Sequence, residues 1–270
     1  MHRLALGCLR AGPDAIAAAL DAGVRAFDTA RAYGESERVL GELVAGRDVR
    51  VVTKGGMKRE GSTWRPDGRA RALREDVEAS LRALGRSSVD TYLVHAPDPR
   101  VPWRTTVREL ARIADEKLAR RVGVCNVTRR QLDEAMEIAP VEVVQTALGV
   151  ASDDAIRGGV VARCIERGVE VMARGPFGGP RRAAGLARDR AVVELAARHG
   201  VSPFAIVLAM LLDLHPAMTV VFGTSSPAHL REALAAVALG APDREALDAR
   251  FGLRRALSPP RVAADRKSVV

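Results

Sequence analysis

A chain of 270 residues with 47% hydrophobic content is long enough to enclose one large α/β core. The formal charge is +9, yet lysine appears only at Lys54, Lys58, Lys117 and Lys267; the other basic residues are arginines scattered without a basic block. With aromatics at 3%, little is left to stack on bases, so nucleic acid is not an expected partner.

Short β-branched or leucine-rich runs alternate with longer amphipathic ones. In chain order, strands are predicted at 4–6, 24–27, 49–53, 89–94, 121–124, 141–145, 169–173 and 219–222. Helices are predicted at 14–21, 36–44, 69–84, 105–114, 129–138, 154–167, 191–199 and 227–237. Such alternation implies βαβ units and a parallel sheet, and eight units in this length match an α/β (β/α)8 TIM barrel in a single domain. A doubly wound sheet would place a Gly-rich turn after the first strand, and Leu6-Gly-Cys-Leu-Arg-Ala-Gly12 lacks the G-x-G-x-x-G spacing.

The barrel is expected over residues 1–258. Pro259-Pro260 ends regular structure, and 259–270 reads as a disordered tail. Its last six residues, Asp265-Arg-Lys-Ser-Val-Val270, resemble a translated sequencing adapter rather than native coding sequence. Residues 205–214 are apolar but far short of the ~20 needed to span a membrane. Cys8, Cys125 and Cys164 share no metal or redox spacing. A cytoplasmic monomer without membrane contact and without a metal is therefore the expectation.

The strand ends carry the polar signal. Asp28, Lys54, His95, Asn126 and Gln145 close or follow strands two to six, where a barrel of this type builds its active site. Tyr33 stands in the loop after Asp28. An acid, a phenol, an amine and an imidazole would thus converge at one mouth. Of the two tyrosines, strand alternation turns Tyr92 toward the helices when His95 points inward, which leaves Tyr33 as the candidate phenolic acid.

These segments resemble the aldo-keto reductase family over residues 4–238. The likeness rests on Gly23-Val-Arg-Ala-Phe-Asp-Thr-Ala30, Tyr33-Gly-Glu-Ser-Glu37, Gly41, Val52-Thr-Lys54, Ser80-Leu-Arg-Ala-Leu84, Val89-Asp90, His95, Val122-Gly-Val-Cys-Asn126, Val144-Gln145 and Gly223-Thr-Ser-Ser226. The resemblance implies an NAD(P)H-dependent oxidoreductase that reduces an aldehyde or ketone to an alcohol, or runs the reverse. Tyr33 would be the general acid, Lys54 would lower its pKa, Asp28 would hold Lys54 charged, and His95 would orient the carbonyl.

The same resemblance implies a nicotinamide dinucleotide across the barrel mouth, NADP(H) in preference to NAD(H). Asn126 and Gln145 would hold its carboxamide, Gly223, Thr224 and Ser225 its phosphate region, and His229 the neighbourhood of the 2′-phosphate. Arg174 stands where many relatives carry a tyrosine that stacks on the nicotinamide; a guanidinium can stack as well. The Gly175–Pro180 loop, with three glycines and two prolines, would arch over the pyrophosphate, and Trp64 and Trp103 would rim the substrate pocket. A nicotinamide-binding barrel with a sensory or regulatory role and little catalysis is the alternative reading; a Schiff-base lyase using Lys54 is a third.

Overall fold

The computed structural model describes residues 3–235 and 237–257. The expected tail at 259–270, and the ends of the predicted barrel at residues 1–2 and 258, lie outside the described residues.

Eight parallel strands close into a barrel: β1 (Leu4–Gly7), β2 (Ala26–Asp28), β3 (Arg50–Gly55), β6 (Val89–Val94), β7 (Ala119–Cys125), β8 (Val141–Ala147), β9 (Glu170–Arg174) and β10 (Met218–Phe222). Each pairs with its neighbours in sequence order, and β1 pairs with β10 to complete the ring. The two remaining strands, β4 (Met57–Glu60) and β5 (Thr63–Pro66), form a hairpin directly beyond β3. The barrel of the sequence analysis is thus present, with every one of its eight strands.

Alternation along the strands sorts the interior into layers. Val52, Leu93, Val143, Met172 and Val221, with Ala5, Ala26 and Cys125, make an apolar inner cluster. Two residues earlier on their strands stand Arg50, Thr91, Glu170 and Thr219; two residues later on theirs stand Lys54, His95, Gln145, Arg174 and Gly223, with Asp28 two after Ala26. The barrel therefore has a polar floor, a dry middle and a polar mouth. The outward positions meet the helices in a separate, larger core that includes Phe27, Tyr92, Val124 and Phe222. Tyr92 lies in this outer core, donating its hydroxyl to Leu73 O at 3.2 Å, as alternation predicts.

Several elements depart from expectation. The predicted helix at 154–167 breaks at Gly158-Gly159 into Asp154–Arg157 and Val160–Glu166, because Gly159 adopts φ +74°. Helices Pro180–Leu186, Pro203–Leu212, Ala241–Phe251 and Leu253–Leu257 were not anticipated. Pro203–Leu212 is apolar on almost every side because it is buried between helix Arg190–His199 and β10; it has no amphipathic period to read. Among the described residues no single helix is long and apolar enough to cross a membrane.

Candidate active site

At the mouth, Asp28 and Lys54 meet because β2 and β3 are adjacent and both side chains turn inward at their ends. Lys54 Nζ lies 2.7 Å from Asp28 Oδ2 and donates a second bond to Thr29 O at 2.7 Å. Gln145 Nε2 donates to the other carboxylate oxygen, Oδ1, at 2.7 Å. The ion pair is fully enclosed: Lys54 is 0% and Asp28 4% exposed. Burial opposes the ammonium and is the largest single influence, but Asp28, Tyr33 and Cys125 together outweigh it, and the Lys54 pKa is held above its ordinary value.

Local backbone geometry makes this possible. A Cβ at Gly55 would overlap Tyr92 Oη and crowd Asp76, so the strand can pass Lys54 and stay packed only with glycine next. The loop after β2 is stapled to the same strand, with Thr29 N bonded to Val52 O and Arg31 N to Lys54 O. That places Tyr33 over the ammonium, with Lys54 Nζ 5.2 Å from its ring centroid.

Tyr33, His95 and Trp64 form a triangle of edge-on rings. Centroids are 5.7 Å apart for Tyr33–His95, 5.9 Å for Tyr33–Trp64 and 6.1 Å for Trp64–His95. Trp64 comes from β5 and is braced by Arg59 of β4, whose guanidinium lies 5.2 Å from its ring. Trp103 is not part of this triangle: its indole donates to Gln131 O at 2.9 Å in the first turn of helix Arg129–Met136.

The charges of the triangle differ in part from the sequence expectation. Burial raises the Tyr33 pKa; Lys54 pulls it down without cancelling that effect, so the net shift is upward. Burial, followed by Lys54 and Arg174, lowers the His95 pKa to about 3. His95 is therefore neutral at pH 7, and its Nδ1 is buried without a hydrogen-bond partner among the described residues. Burial pushes the Cys125 thiol up to about 12, which leaves it inert.

A short polar chain continues from His95. Asn126, in the left-handed region at φ 56°, directly follows β7 and turns its amide back over the mouth. Its Nδ2 donates to His95 O at 3.0 Å, and its Oδ1 accepts from Arg174 Nη2 at 2.9 Å. Beside it runs a cleft of about 430 Å3 lined by Arg10, Asp28, Tyr33, Arg174, Phe177 and Ser225, among others. Gly223, Thr224 and the Gly175–Pro180 loop also border it; His229 does not. Thr224 Oγ1 accepts from Ser226 N, and Ser226 Oγ caps helix Pro227–Ala233, so these two hydroxyls serve the local backbone.

The structure thus brings together Asp28, Tyr33, Lys54, His95, Asn126, Gln145 and Arg174, and it joins Gly223–Ser225 to the same cleft. Sequence reasoning gave no role to Glu37. This carboxylate is 0% exposed, accepts from Thr53 Oγ1 at 2.6 Å and Arg31 Nη1 at 2.9 Å, and ties the Tyr33 loop to β3. The available signal was its place one turn before Leu40 and Gly41 on the buried face of its helix. A wider cleft of about 860 Å3, lined by Arg47, Arg82 and Arg120, lies near the opposite ends of the strands and contains none of these groups.

Comparison with known proteins adds relatives to this geometry. The model of the Aldo/keto reductase family matches residues 13–249. An uncharacterized oxidoreductase of Schizosaccharomyces pombe is 31% identical over 211 residues, covering 76% of this chain and 67% of its own length. Pyridoxine 4-dehydrogenase of Escherichia coli is 31% identical over 235 residues, 81% of this chain and 78% of that protein. Among solved structures, a thermostable aldo-keto reductase, Tm1743, in complex with the inhibitor epalrestat superposes with TM-score 0.77 at 27% identity, covering 93% of this chain and 95% of that one. The glycerol dehydrogenase of Gluconobacter oxydans shares the fold, with TM-score 0.78 at 24% identity over 95% and 93%.

Proposed function

The chain belongs to the aldo/keto reductase family of carbonyl oxidoreductases, and from that premise we propose that it interconverts an aldehyde or ketone and its alcohol with a nicotinamide dinucleotide, Tyr33 being the proton donor. The observation that carries this reading is the enclosed Lys54–Asp28 pair set 5.2 Å beneath the Tyr33 ring and beside His95.

The cleft suits a long anionic ligand. It runs from Tyr33 to Gly223–Ser225, carries Arg10 and Arg174, and its one acid, Asp28, is already neutralised by Lys54. A bound reduced nicotinamide would supply the hydride. The residues do the rest. Tyr33 holds a proton throughout the neutral range, because burial keeps its pKa above the usual value. When the carbonyl oxygen becomes an alkoxide it takes that proton, and the phenolate left behind is stabilised by the nearby Lys54 ammonium. Asp28, held in turn by Gln145, fixes the ammonium. A neutral His95 offers the carbonyl oxygen a hydrogen bond, not a second acidic proton. Trp64 closes the third side and keeps water off the reacting bond.

The test is turnover of a panel of aldehydes and ketones with NADPH and with NADH, followed by loss of reduced-nicotinamide absorbance. Both cofactors are needed, since His229, singled out for the 2′-phosphate, lies outside the cleft lining. Tyr33→Phe should lower kcat by roughly 10²–10⁴ with little change in cofactor affinity. A Tyr33→Phe protein as fast as the parent would overturn the assignment. Cofactor binding without turnover of any carbonyl would instead favour the sensory reading.

A further inference from the structure

Two cations line this cleft without a carboxylate partner among the described residues, Arg10 and Arg174, and Arg174 is the one tied by hydrogen bonds to the His95 side of the mouth. It ends β9 pointing inward, one step above Met172, and its side-chain partner is the neutral amide of Asn126 at 2.9 Å. Through Asn126 it is tied to His95 O, so it is held on the cleft wall. Lys54, the neighbouring cation, is cancelled by Asp28 at 2.7 Å. No ion pair offsets Arg174 among the described residues. Its charge nevertheless reaches the reacting centre: after burial and Lys54, it is the third cause that lowers the His95 pKa.

Hydride transfer requires the donor ring to touch the carbonyl carbon whose oxygen faces Tyr33. Tyr33 and Arg174 line the same cleft, so a ring placed there shares it with the guanidinium. The two forms of that ring differ by one unit charge: the oxidised ring is cationic and the reduced ring neutral. An uncompensated guanidinium therefore repels one form and spares the other.

We propose that Arg174 makes this site selective for the redox state of its cofactor, favouring the reduced dinucleotide over the oxidised one. The inference rests on the nicotinamide site proposed above. Every phosphate contact is common to both forms and cancels in the ratio of their affinities. What remains is the ring and the charge beside it. The consequence lies in loading: with both forms present the protein fills with the reduced one, and oxidised cofactor leaves readily. The same charge makes the bound cofactor a weaker hydride donor, because it stabilises the state before transfer relative to the state after it.

The experiment is a set of equilibrium titrations of the purified protein, by tryptophan fluorescence, with NADPH, NADP+, NADH and NAD+. They are repeated on Arg174→Gln, which removes the charge but keeps an amide near Asn126, and on Arg174→Lys, which keeps the charge. The ratio Kd(oxidised)/Kd(reduced) should fall about tenfold in Arg174→Gln, mainly through tighter binding of the oxidised form, and persist in Arg174→Lys. In the parent it should shrink as salt is raised, since Arg174 is exposed to solvent. Equal ratios in parent and Arg174→Gln, or an Arg174→Lys protein that matches Arg174→Gln, would overturn the proposal while leaving the nicotinamide site intact. Failure of the parent to bind any of the four would overturn that site and this inference together.

Discussion

At pH 7 the His95 ring is neutral in a place where protonation would set a cation beside Lys54 and Arg174. Its pKa of about 3 lies below the ordinary 6.5, so the unfolded chain binds the proton first. Folding stability is therefore lost as pH falls below about 6.5, and the loss grows until the folded-state value is reached. Between pH 6.5 and 5 the upper limit is about 2 kcal/mol; screening of the half-buried ring reduces this to about 1 kcal/mol. A His95→Gln variant should lose that part of the acid sensitivity, as measured by urea unfolding at both pH values. Unchanged pH dependence would mean that His95 is not the titrating group. Lys54 behaves oppositely. Its raised pKa places any loss of stability at alkaline pH, and its larger effect appears on mutation: Lys54→Met strands the Asp28 carboxylate and should cost about 3–5 kcal/mol. Lys54→Met combined with Asp28→Leu should be less unstable than Lys54→Met alone. A double variant that is the less stable of the two would show that the carboxylate is held independently of the amine.

The element that most alters the site is the β4–β5 hairpin. It places Trp64 against Tyr33 and His95, although its own residues are largely exposed. Trp64→Ala should raise the KM for an apolar carbonyl substrate about tenfold, leave cofactor Kd within about twofold, and change stability by less than about 1 kcal/mol. An unchanged KM would place substrate on another wall. This hairpin also shows where the sequence falls silent. Met57-Lys-Arg-Glu60 and Thr63-Trp-Arg-Pro66 bury no face, so no apolar alternation marks them as strands. The barrel strands are legible because each has an outward face under helices and an inward face in a dry middle. Asp28, Lys54, His95 and Gln145 are legible because they break that apolar pattern at its downstream end. Asn126 was found by its position after β7, but its orientation depends on a left-handed backbone that no periodicity encodes. Glu37 escaped for a related reason: a charged residue on a helix reads as solvated until the packing shows two donors waiting beneath it.

Across the whole barrel, the two polar layers at opposite ends of one dry interior are built on different terms. At the mouth, polar groups are left with spare capacity: among the described residues, His95 Nδ1 has no hydrogen-bond partner and Arg174 no counter-ion. At the floor the accounts close. Glu170 accepts from Arg50 at 2.8 Å and from Thr219 at 2.7 Å on Oε1, and from Arg121 at 2.7 Å on Oε2, so three strands are cross-linked to β9 by one carboxylate. Burial would raise the Glu170 pKa, but Arg50, Thr219 and Arg121 together bring it below the ordinary 4.5. Its contribution is thus complete above pH ~4.5 and fades as pH falls through the lower folded-state value. Glu170→Gln keeps the shape and removes the charge, leaving two half-buried guanidiniums facing a neutral amide. We expect a loss of about 2–4 kcal/mol at pH 7. The difference from the parent should narrow below pH 4.5, where the parent's own carboxylate begins to protonate. Since the floor is separated from Tyr33 and Lys54 by the apolar middle layer, kcat below the melting range should stay within about twofold. The measurements are urea unfolding at pH 7 and pH 4, and turnover with the best carbonyl substrate at a temperature where both proteins are folded. A fall in kcat as large as that of a mouth variant would mean that the interior transmits the change, and that the two ends are not separate in function.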